Sequence, residues 1–360
     1  MKKLIIYLLG WCFLSAALLG CSPQDSTTEE ATTAETAPAA EQTTAAIEEA
    51  APAEETEEQA APSALEPAIP VTENPDHDAL LTSDNPKLAA NKRLVYDMWR
   101  TLVDARDVEA AKQYLDENYI QHNPIADTGL AGVLAYFSSL GEPLEIPDRI
   151  QGPLVAIVAE RDLVVLASVD EQENPNVEGE TYTTTWFDMY RIKDGMIIEH
   201  WDHGTVPPGM TPRNYVPTEE NPDHENSLAS DDPQLAANKR LVYDMWRILL
   251  DAQQLEEAPK FLVKDYIQHN PMANMGLEGF LSFFRQFNLQ ARPVQEKLAN
   301  FVDIIAEGDL VVLATVHKYN DANGDPYTTT WFDMWVVKDG MLVEHWDTQR
   351  IMAFPPLPTE

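Results

Sequence analysis

The sequence predicts two tandem α+β domains, each with three helices followed by a meander of long antiparallel strands. The first observation is that whole motifs recur along the chain, so that one domain is present twice. The second is that apolar residues change from helical spacing to strand spacing within each copy. Helices and strands that are segregated along a chain favour helices packed on one face of an antiparallel sheet.

The repeat is the size of a whole domain. Motifs return 147 residues later in the first part of each copy and 145 residues later in the last part. This period is too long for one unit of a solenoid. The repeated motifs are ENPDH at 73–77 and 220–224, LAANKRLVYDMWR at 88–100 and 235–247, YIQHNP at 119–124 and 266–271, DLVVLA at 162–167 and 309–314, YTTTWFDM at 182–189 and 327–334, and EHWD at 199–202 and 344–347.

The N-terminus is typical of a secretory signal, because two lysines precede a short apolar run over residues 4–19. Its end, LLGC at 18–21, resembles a bacterial lipobox. This resemblance implies cleavage before Cys21 and acylation of that cysteine, including a palmitate-type chain. An ordinary signal peptide or an N-terminal anchor helix is the alternative. Ser22 follows the cysteine, which favours the outer membrane of the cell envelope over the inner membrane.

Residues 22–70 contain twelve acidic side chains, no Lys or Arg, and mostly Ala, Thr, Glu and Pro. Such a segment buries too little apolar surface to fold, which predicts a disordered tether. The formal net charge of −36 argues against nucleic acid or an anionic lipid surface as a partner. The predicted organisation is a signal peptide at 1–20, a tether at 21–72, a first domain at 73–205, a Pro-rich linker at 206–232, a second domain at 233–352 and a tail at 353–360.

Three helices are predicted at the start of each copy. The first begins where a capping side chain precedes a proline, at Asn85-Pro86 and Asp232-Pro233. The ENPDH segments before them are predicted to be linker turns. The second helix lies near residues 108–115 and 255–262, and the third follows Gly129 and Gly276.

Four strands follow in each copy, because β-rich segments alternate with turn residues. They are predicted at 154–159, 163–169, 182–192 and 196–205, and at 299–306, 310–319, 327–337 and 341–350.

The order of these motifs resembles the SnoaL-like (polyketide cyclase-like) branch of the NTF2-like superfamily. The motifs that carry the resemblance follow one another at similar spacing in both copies: NKRLVYDMWR, YIQHNP, a Gly-Leu helix start, DLVVLA (preceded by Gly in the second copy) and WFDM-x-x-x-KDGM-x-x-EHWD. The resemblance covers roughly residues 86–205 and 233–350. It implies a cone-shaped domain whose curved sheet and helices enclose a deep apolar pocket, and it includes cyclases that perform intramolecular aldol chemistry.

The hairpin at Lys193-Asp194-Gly195 decides which polar side chains meet. A three-residue loop pairs Asp188 with His200 and Trp186 with Asp202. A two-residue Asp-Gly loop, the alternative, shifts the register by one residue. The three-residue loop is favoured because it gathers polar residues on one face and apolar residues on the other. The polar face then carries Thr184, Trp186, Asp188, His200 and Asp202, matched by Thr329, Trp331, Asp333, His345 and Asp347.

The functional interpretation is a pair of proton-transfer sites. Asp188 holds the His200 imidazole, while Asp202 beside Trp186 is a general base with a raised pKa. The resemblance likewise favours the acid of EHWD as the base, and it places YIQHNP at the pocket wall, where its His could bond the substrate oxygen. The predicted catalytic residues are Asp202, His200, Asp188 and His122 with their counterparts Asp347, His345, Asp333 and His269, and the predicted pocket residues are Tyr119, Trp186, Tyr266 and Trp331.

The alternative is that Asp188 and His200 form a buried structural pair and that His122 caps a turn. A metal site at His200, Asp202 and His203 is not expected, because Thr348 replaces His203 in the second copy and alternate strand residues face opposite sides. No cofactor motif is present in the sequence.

The leading prediction is a lipid-anchored envelope protein with two small-molecule pockets that catalyse aldol-type or isomerase-type proton transfer on an apolar carbonyl compound. A non-catalytic binder of hydrophobic ligands and an envelope scaffold are the alternatives. The two domains are expected to pair within one monomeric chain through the outer faces of their sheets. These faces carry Phe187, Met189, Ile197 and Trp201, matched by Phe332, Met334, Leu342 and Trp346.

Overall fold

The computed structural model describes residues 65–353. The predicted signal peptide, the lipidation site at Cys21, the tether up to residue 64 and the tail beyond residue 353 lie outside this range. Two consecutive parts of the described chain adopt the same α+β fold, which confirms the predicted fold class and the tandem copies. Among the described residues, no helix combines the length and apolarity needed to cross a membrane.

The first domain begins with short and long helices and ends with a sheet. Asn85 caps the long helix by accepting a hydrogen bond from the Lys87 backbone N–H, as the Asn-Pro pair predicts. This helix continues as a π-helix over Trp99–Asp104. The elements are α1 (His77–Leu80), α2 (Pro86–Met98), α3 (Val108–Ala111), β1 (Leu115–Gln121), α4 (Leu130–Ser139), β2 (Leu154–Glu160), β3 (Leu163–Glu173), β4 (Thr181–Lys193) and β5 (Met196–Asp202).

The second domain repeats this order, with a 3₁₀ helix over Leu255–Lys260 that contains Pro259 in place of α3. The ENPDH segments turn the chain as predicted, with the Asp76 N–H donating to Asn74 Oδ1 and the Asp223 N–H to Asn221 Oδ1. Asp76 and Asp223 then cap short helices that were not predicted. The elements are α5 (His224–Leu228), α6 (Pro233–Met245), a π-helix (Trp246–Asp251), β6 (Leu262–Gln268), α7 (Gly276–Arg285), β7 (Phe301–Glu307), β8 (Leu310–Asn320), β9 (Pro326–Lys338) and β10 (Met341–Asp347).

Each sheet has five strands and is mixed. The order is β1-β5-β4-β3-β2 in the first domain and β6-β10-β9-β8-β7 in the second. The four predicted strands form the antiparallel meander, but β1 and β6 add to its edge in parallel. The expected wholly antiparallel sheet is therefore wrong at this edge. The YIQHNP motif, which was expected in a loop, begins within β1 because Tyr119 and Gln121 alternate as buried residues.

The β4–β5 hairpin has the two-residue loop that sequence reasoning rejected. Lys193 pairs with Met196, and Asp194 and Gly195 both have positive φ angles, 51° and 77°. Positive φ at both central residues is the type I′ turn that Asp-Gly favours. The predicted three-residue loop is wrong, and so are the opposed pairs that followed from it.

A β-bulge then changes the register again. Arg191 pairs with Glu199 while Ile192 pairs with Ile197, which leaves Ile198 as the extra residue. Beyond the bulge, Asp188 lies opposite Asp202, rather than opposite His200 as predicted. Because the bulge adds one residue, the even-numbered side chains still share one face of the sheet.

The bulge also moves one predicted surface residue in each domain. Ile197 and Leu342 are fully buried in the helix-packed cores of their own domains, although both were expected on the outer face. Ile197 precedes the extra residue Ile198, so it takes the opposite side from Trp201.

The outer faces of the two sheets share one apolar cluster. Phe187 of the first domain stacks on Phe332 of the second with ring centroids 5.8 Å apart. Two buried ion pairs flank this cluster: Lys239 Nζ lies 2.8 Å from Glu160 Oε1, and Lys92 Nζ lies 2.7 Å from Glu307 Oε2. The other residues of the cluster include Met189, Trp201 and Met334.

The segments before each first helix also contact the domains. The Ile69 N–H donates to the Gln268 carbonyl over 3.0 Å, and the Val216 N–H donates to the Gln121 carbonyl over 2.9 Å. Residues 65–72 were predicted to belong to the disordered tether, but they are bound to the second domain. The tether prediction is wrong for residues 65–72, because Val71 is buried and the Ile69 N–H is bonded to the second domain.

Candidate functional site

The polar side chains of the repeated motifs meet on the helix-facing side of each sheet. In the first domain, Asp188 lies on β4 while His200 and Asp202 lie on β5, and all three are buried. Tyr190 on β4 stacks against the His200 ring and belongs to the core that packs on α2. The side chains at this site are therefore held between the sheet and the helices.

A continuous chain of hydrogen bonds joins these residues in the first domain. His200 Nε2 lies 2.9 Å from Asp188 Oδ1, and His200 Nδ1 lies 2.9 Å from Gln121 Oε1. Asn123 Nδ2 donates to Asp202 Oδ2 over 2.7 Å, and the Gly204 N–H donates to Asp202 Oδ1 over 2.8 Å. Both oxygens of Asp202 are thereby oriented.

The hydrogen bonds determine where one proton lies. The Asn123 backbone N–H donates to Gln121 Oε1 over 3.0 Å, which identifies this atom as the amide oxygen. His200 must therefore donate to it from Nδ1, so a neutral imidazole has no proton on Nε2. Because Nε2 faces a carboxylate oxygen of Asp188, one additional proton is shared between His200 and Asp188.

The second domain repeats this arrangement. His345 Nε2 lies 2.9 Å from Asp333 Oδ1, and His345 Nδ1 lies 3.0 Å from Gln268 Oε1. Asn270 Nδ2 donates to Asp347 Oδ2 over 2.7 Å, as Asn123 does to Asp202. The same shared proton therefore follows for the pair of His345 and Asp333.

Burial shifts the ionisation of these carboxyl groups. It raises the pKa of Asp188, and it raises the pKa of Asp333 well above its usual range. Burial also raises the pKa of Asp347 to about 6, and the nearby charge of Asp333 acts in the same direction. The second domain therefore places a carboxyl group that retains its proton, Asp333, beside a second aspartate, Asp347.

The two histidines differ in their electrostatics. Burial lowers the pKa of His345 to about 4, so the shared proton in the second domain belongs to Asp333. Burial also opposes protonation of His200, but the hydrogen bond to Asp188 and the charges of Asp202 and Asp188 together outweigh it and raise the pKa of His200. The feature that both domains share is one proton held between the histidine and its aspartate partner.

A cavity of about 200 Å³ opens onto the site of the second domain. Its polar lining includes Asp333, His345 and Asp347 at the sheet, with Gln268 and Asn270 at the end of β6. The remaining wall is mostly aromatic, so the cavity suits an apolar molecule with one polar group. The aromatic lining consists of Trp246, Tyr266, Phe280, Phe283, Phe284, Trp331 and Trp335.

The YIQHNP histidines do not occupy the place expected for them. His122 Nδ1 lies 2.7 Å from the Val216 carbonyl oxygen, and His122 Nε2 lies 2.9 Å from Glu199 Oε1. The ring stacks on Trp201, whose side chain belongs to the outer face. His269 makes the same contacts with Ile69, Glu344 and Trp346. Both ring nitrogens are used, so neither histidine is available to bond a substrate oxygen.

The predicted pocket aromatics lie near the polar chain. Tyr266 and Trp331 line the cavity of the second domain. Tyr119 is buried, and burial together with the charges of Asp202 and Asp188 raises its pKa well above the usual range. Trp186 is half-buried and packs against the His203 ring, with centroids 4.3 Å apart.

Sequence reasoning missed the two amides of the site. Gln121 and Asn123, with their counterparts Gln268 and Asn270, orient the imidazole and the proposed base. They alternate along one strand end within YIQHNP, and both are identical in the two copies. That spacing places them on the same side of the chain, and this was the available signal.

The same side chains form the sets that could hold a metal ion in the described residues. The donor atoms of Asp188, His200 and Asp202 lie within 4.8 Å of one another, as do those of Asp333, His345 and Asp347. His203 is not part of this set, although it was weighed as a ligand. The shared proton already lies between the histidine Nε2 and the aspartate Oδ1, which would otherwise be two acceptors facing each other. The expectation of no metal site stays a prediction.

The sequence matches the family model of the SnoaL-like domain twice, at residues 95–200 and 242–345. Among curated proteins, no sequence matches this chain. Similar solved structures include TsrD from Streptomyces laurentii, with 20% identity over 33% of this chain and 90% of that chain and a TM-score of 0.25. Another is an LEH-like epoxide hydrolase of M. tuberculosis, with 15% identity over 32% of this chain and 81% of that chain and a TM-score of 0.25.

Proposed function

Because this chain belongs to the SnoaL-like domain family of the NTF2-like superfamily, we propose that it is a proton-transfer enzyme with two active sites. The observation that carries the proposal is the pairing of two buried aspartates on neighbouring strands, one bonded to a histidine and the other held by an asparagine. In the second domain, Asp347 has a pKa of about 6 while Asp333 retains its proton. Two carboxyl groups with separated pKa values are typical of an acid and base pair.

The base in this mechanism is Asp347, with Asp202 in the equivalent role. Asn270 and the Gln349 N–H hold its two oxygens, so the carboxylate has a defined direction toward the cavity. A carboxylate at this position takes a proton from the carbon next to a carbonyl group. Its raised pKa increases its basicity over that of a solvated aspartate.

The acid is the Asp333 carboxyl group, which His345 and Gln268 hold in place through two hydrogen bonds. As the substrate carbonyl becomes an enolate, its oxygen gains negative charge. The Asp333 proton stabilises that charge by moving from Oδ1, where it faces His345, to Oδ2, which makes no hydrogen bond among the described residues. The aromatic wall excludes water and selects an apolar carbonyl compound. Aldol condensation and isomerisation both proceed through such an enolate.

The protein is also proposed to be a lipid-anchored protein of the cell envelope, on the support of LLGC at 18–21. The two domains form an intrachain pseudo-dimer, meaning that they pair as two subunits of a homodimer would, and the chain is a monomer. The shared outer-face cluster, with Phe187 stacked on Phe332, supports this pairing.

The test of the enzymatic proposal is hydrogen exchange at carbon. A panel of small apolar ketones is incubated in D₂O with the purified chain, and loss of the α-proton signal is followed by NMR. We expect exchange with the wild type and none above background with the double variant Asp202→Asn, Asp347→Asn. Equal exchange by both proteins would exclude these aspartates as bases.

A non-catalytic binder is the second candidate, and the mostly apolar cavity favours it. Native mass spectrometry of the purified chain separates the two candidates. Retention of an apolar ligand by the wild type and by the double Asn variant, without α-proton exchange in either, would support binding alone.

A further inference from the structure

The YTTTWFDM motif of each domain contacts both sites. Its second half supplies Trp186 and Asp188 to the first domain's own site. Its first half, Tyr182 and Thr184, contacts the other domain instead. All eight residues are identical in the two copies, and the proposed chemistry accounts only for the second half.

The contacts from the first domain converge on the backbone that follows Asp347. Thr184 Oγ1 lies 2.7 Å from the Gln349 carbonyl oxygen and 3.2 Å from the Asp347 carbonyl oxygen, so it donates to this turn. Two residues earlier on β4, the Tyr182 hydroxyl oxygen accepts from the Ile351 N–H over 2.9 Å. Side chains two apart on a strand point to the same side, so both hydroxyls reach one segment.

The second domain returns the same contacts. Thr329 Oγ1 donates to the Asp202 carbonyl oxygen over 3.2 Å. The Tyr327 hydroxyl oxygen accepts from the Val206 N–H over 3.3 Å. Each domain therefore bonds the backbone of the other domain's EHWD aspartate and of the residues that follow it.

These bonds act on the turn that orients the aspartate. Within the second domain, the Gln349 N–H donates to Asp347 Oδ1 over 2.9 Å, which folds residues 347–349 into a tight turn. The carbonyl oxygens of the same turn are bonded by Thr184, which is fully buried. With the hydroxyl removed, these buried carbonyl groups lose their donor, and the turn must open to water or move.

We propose that Thr184 and Tyr182 are positioning residues for Asp347, and that Thr329 and Tyr327 are positioning residues for Asp202. Each site is then complete only when the other domain is packed against it. This inference rests on the proposed role of the two aspartates as bases. It accounts for the presence of both copies in one chain, because a single domain lacks the hydroxyls that orient its own base.

The test measures Asp347 directly, without turnover. In the purified full chain labelled with ¹³C at aspartate carboxyl groups, the Asp347 signal is identified by its loss in Asp347→Asn. In Thr184→Val, we expect its titration midpoint to fall from about 6 toward the ordinary aspartate value of roughly 3.9, because a loosened turn admits water. Thr184→Ser keeps the hydroxyl and should retain the wild-type midpoint.

The matched control is Thr185→Val. Thr185 is the neighbouring buried threonine, and its hydroxyl makes no hydrogen bond among the described residues. This variant should leave the Asp347 signal unchanged. The reciprocal variant, Thr329→Val, should move the Asp202 signal and leave that of Asp347 in place.

Three results would overturn the proposal: an unchanged Asp347 titration in Thr184→Val, an equal shift in Thr185→Val, or failure of Thr184→Ser to restore the midpoint. None of these measurements requires catalysis. Even if the chain does not catalyse α-proton exchange, Thr184→Val can still change the titration of Asp347. The proposal of enzymatic activity and the proposal of positioning residues can therefore be refuted independently.

Discussion

Asp188 lies directly opposite Asp202 on the neighbouring strand, and the same pairing joins Asp333 to Asp347. Two buried carboxyl groups in this position cannot both ionise cheaply, since each charge disfavours the other. His200 lies opposite Tyr190, and its side chain reaches Asp188 two residues along β4 to form a hydrogen bond. In the second domain, the pKa of Asp333 is raised well above its usual range and that of Asp347 to about 6, so Asp347 ionises first.

Removing the proposed base should abolish turnover at a moderate cost in stability. Asp202→Asn and Asp347→Asn keep the shape of the side chain but turn an amide NH₂ toward a buried donor, so we expect the free energy of unfolding to fall by about 1–3 kcal/mol for each. The rate of α-proton exchange should fall by roughly 10²–10⁴-fold when both are changed. Asp194→Asn in the exposed Asp-Gly turn is the control, because Asn tolerates its positive φ of 51°. A large loss of stability would instead identify structural carboxylates.

The activity of the second site should increase with pH, with a midpoint near pH 6. In the Asp202→Asn background, kcat should rise as the pH increases through about 6, because Asp347 accepts a proton only when it is ionised. It should fall again at higher pH, where Asp333 loses the proton that its raised pKa retains. The pH dependence of kcat checks this directly. A profile without change around pH 6 would contradict the assignment of Asp347 as base.

Breaking the ion pair between Lys239 and Glu160 should destabilise the folded chain strongly. The Lys239 side chain is 0% exposed and lies 2.8 Å from Glu160. Lys239→Met leaves the buried Glu160 carboxylate with Arg161 Nη1, 3.6 Å away, as its one cationic partner among the described residues. We expect a loss of about 3–5 kcal/mol in the free energy of unfolding, measured by denaturant titration. Lys264→Met at an exposed position should change it by less than about 0.5 kcal/mol. Adding Glu160→Gln to Lys239→Met should recover part of the loss.

The proposed lipid anchor requires Cys21. Cys21→Ser should block acylation and leave unprocessed precursor or soluble protein, because the lipid is attached through the thiol. Fractionation with mass spectrometry of the N-terminus measures both outcomes. Cys12→Ser, inside the predicted signal peptide, should be processed and acylated as the wild type is. An acylated, processed Cys21→Ser protein in the membrane fraction would contradict the lipoprotein prediction.

The oligomeric state tests the proposed pseudo-dimer. Residues 65–353 should be a monomer in light scattering after size exclusion, because each apolar outer face is covered by the other. Each domain produced alone should dimerise or aggregate, since Phe187 or Phe332 is then exposed. Soluble monomers of both isolated domains at high concentration would be incompatible with this arrangement.

Much of the site could be predicted from the repeated motifs alone. Alternation along β4 and β5 places Asp188, His200 and Asp202 on one side of the sheet, and this parity survived the wrong hairpin loop. The two-residue turn shifts the pairing of β4 and β5 by one residue relative to the predicted three-residue turn. The extra residue Ile198 in the bulge shifts it by one more, so the same side chains again face the same side of the sheet. The correct face was therefore obtained from an incorrect register.

The places of His122 and Ile197 could not be predicted in the same way. His122 bonds the Val216 carbonyl, 94 residues away, so its role depends on a segment whose path is not encoded locally. Ile197 is buried in the core because the bulge follows it, and neither β propensity nor periodicity marks that position.

The sequence by itself determined the duplication, the order of helices and strands, and the polar face of each sheet, since these depend on repeats, capping residues and spacing along a local stretch of chain. Only the tertiary structure decided that β1 joins the sheet in parallel, that Gln121 and Asn123 orient His200 and Asp202, and that Thr184 bonds the other domain's turn. These contacts join residues far apart in the chain. They form because a buried polar group cannot bond water and must therefore bond a protein group that the packing of the two domains brings close to it.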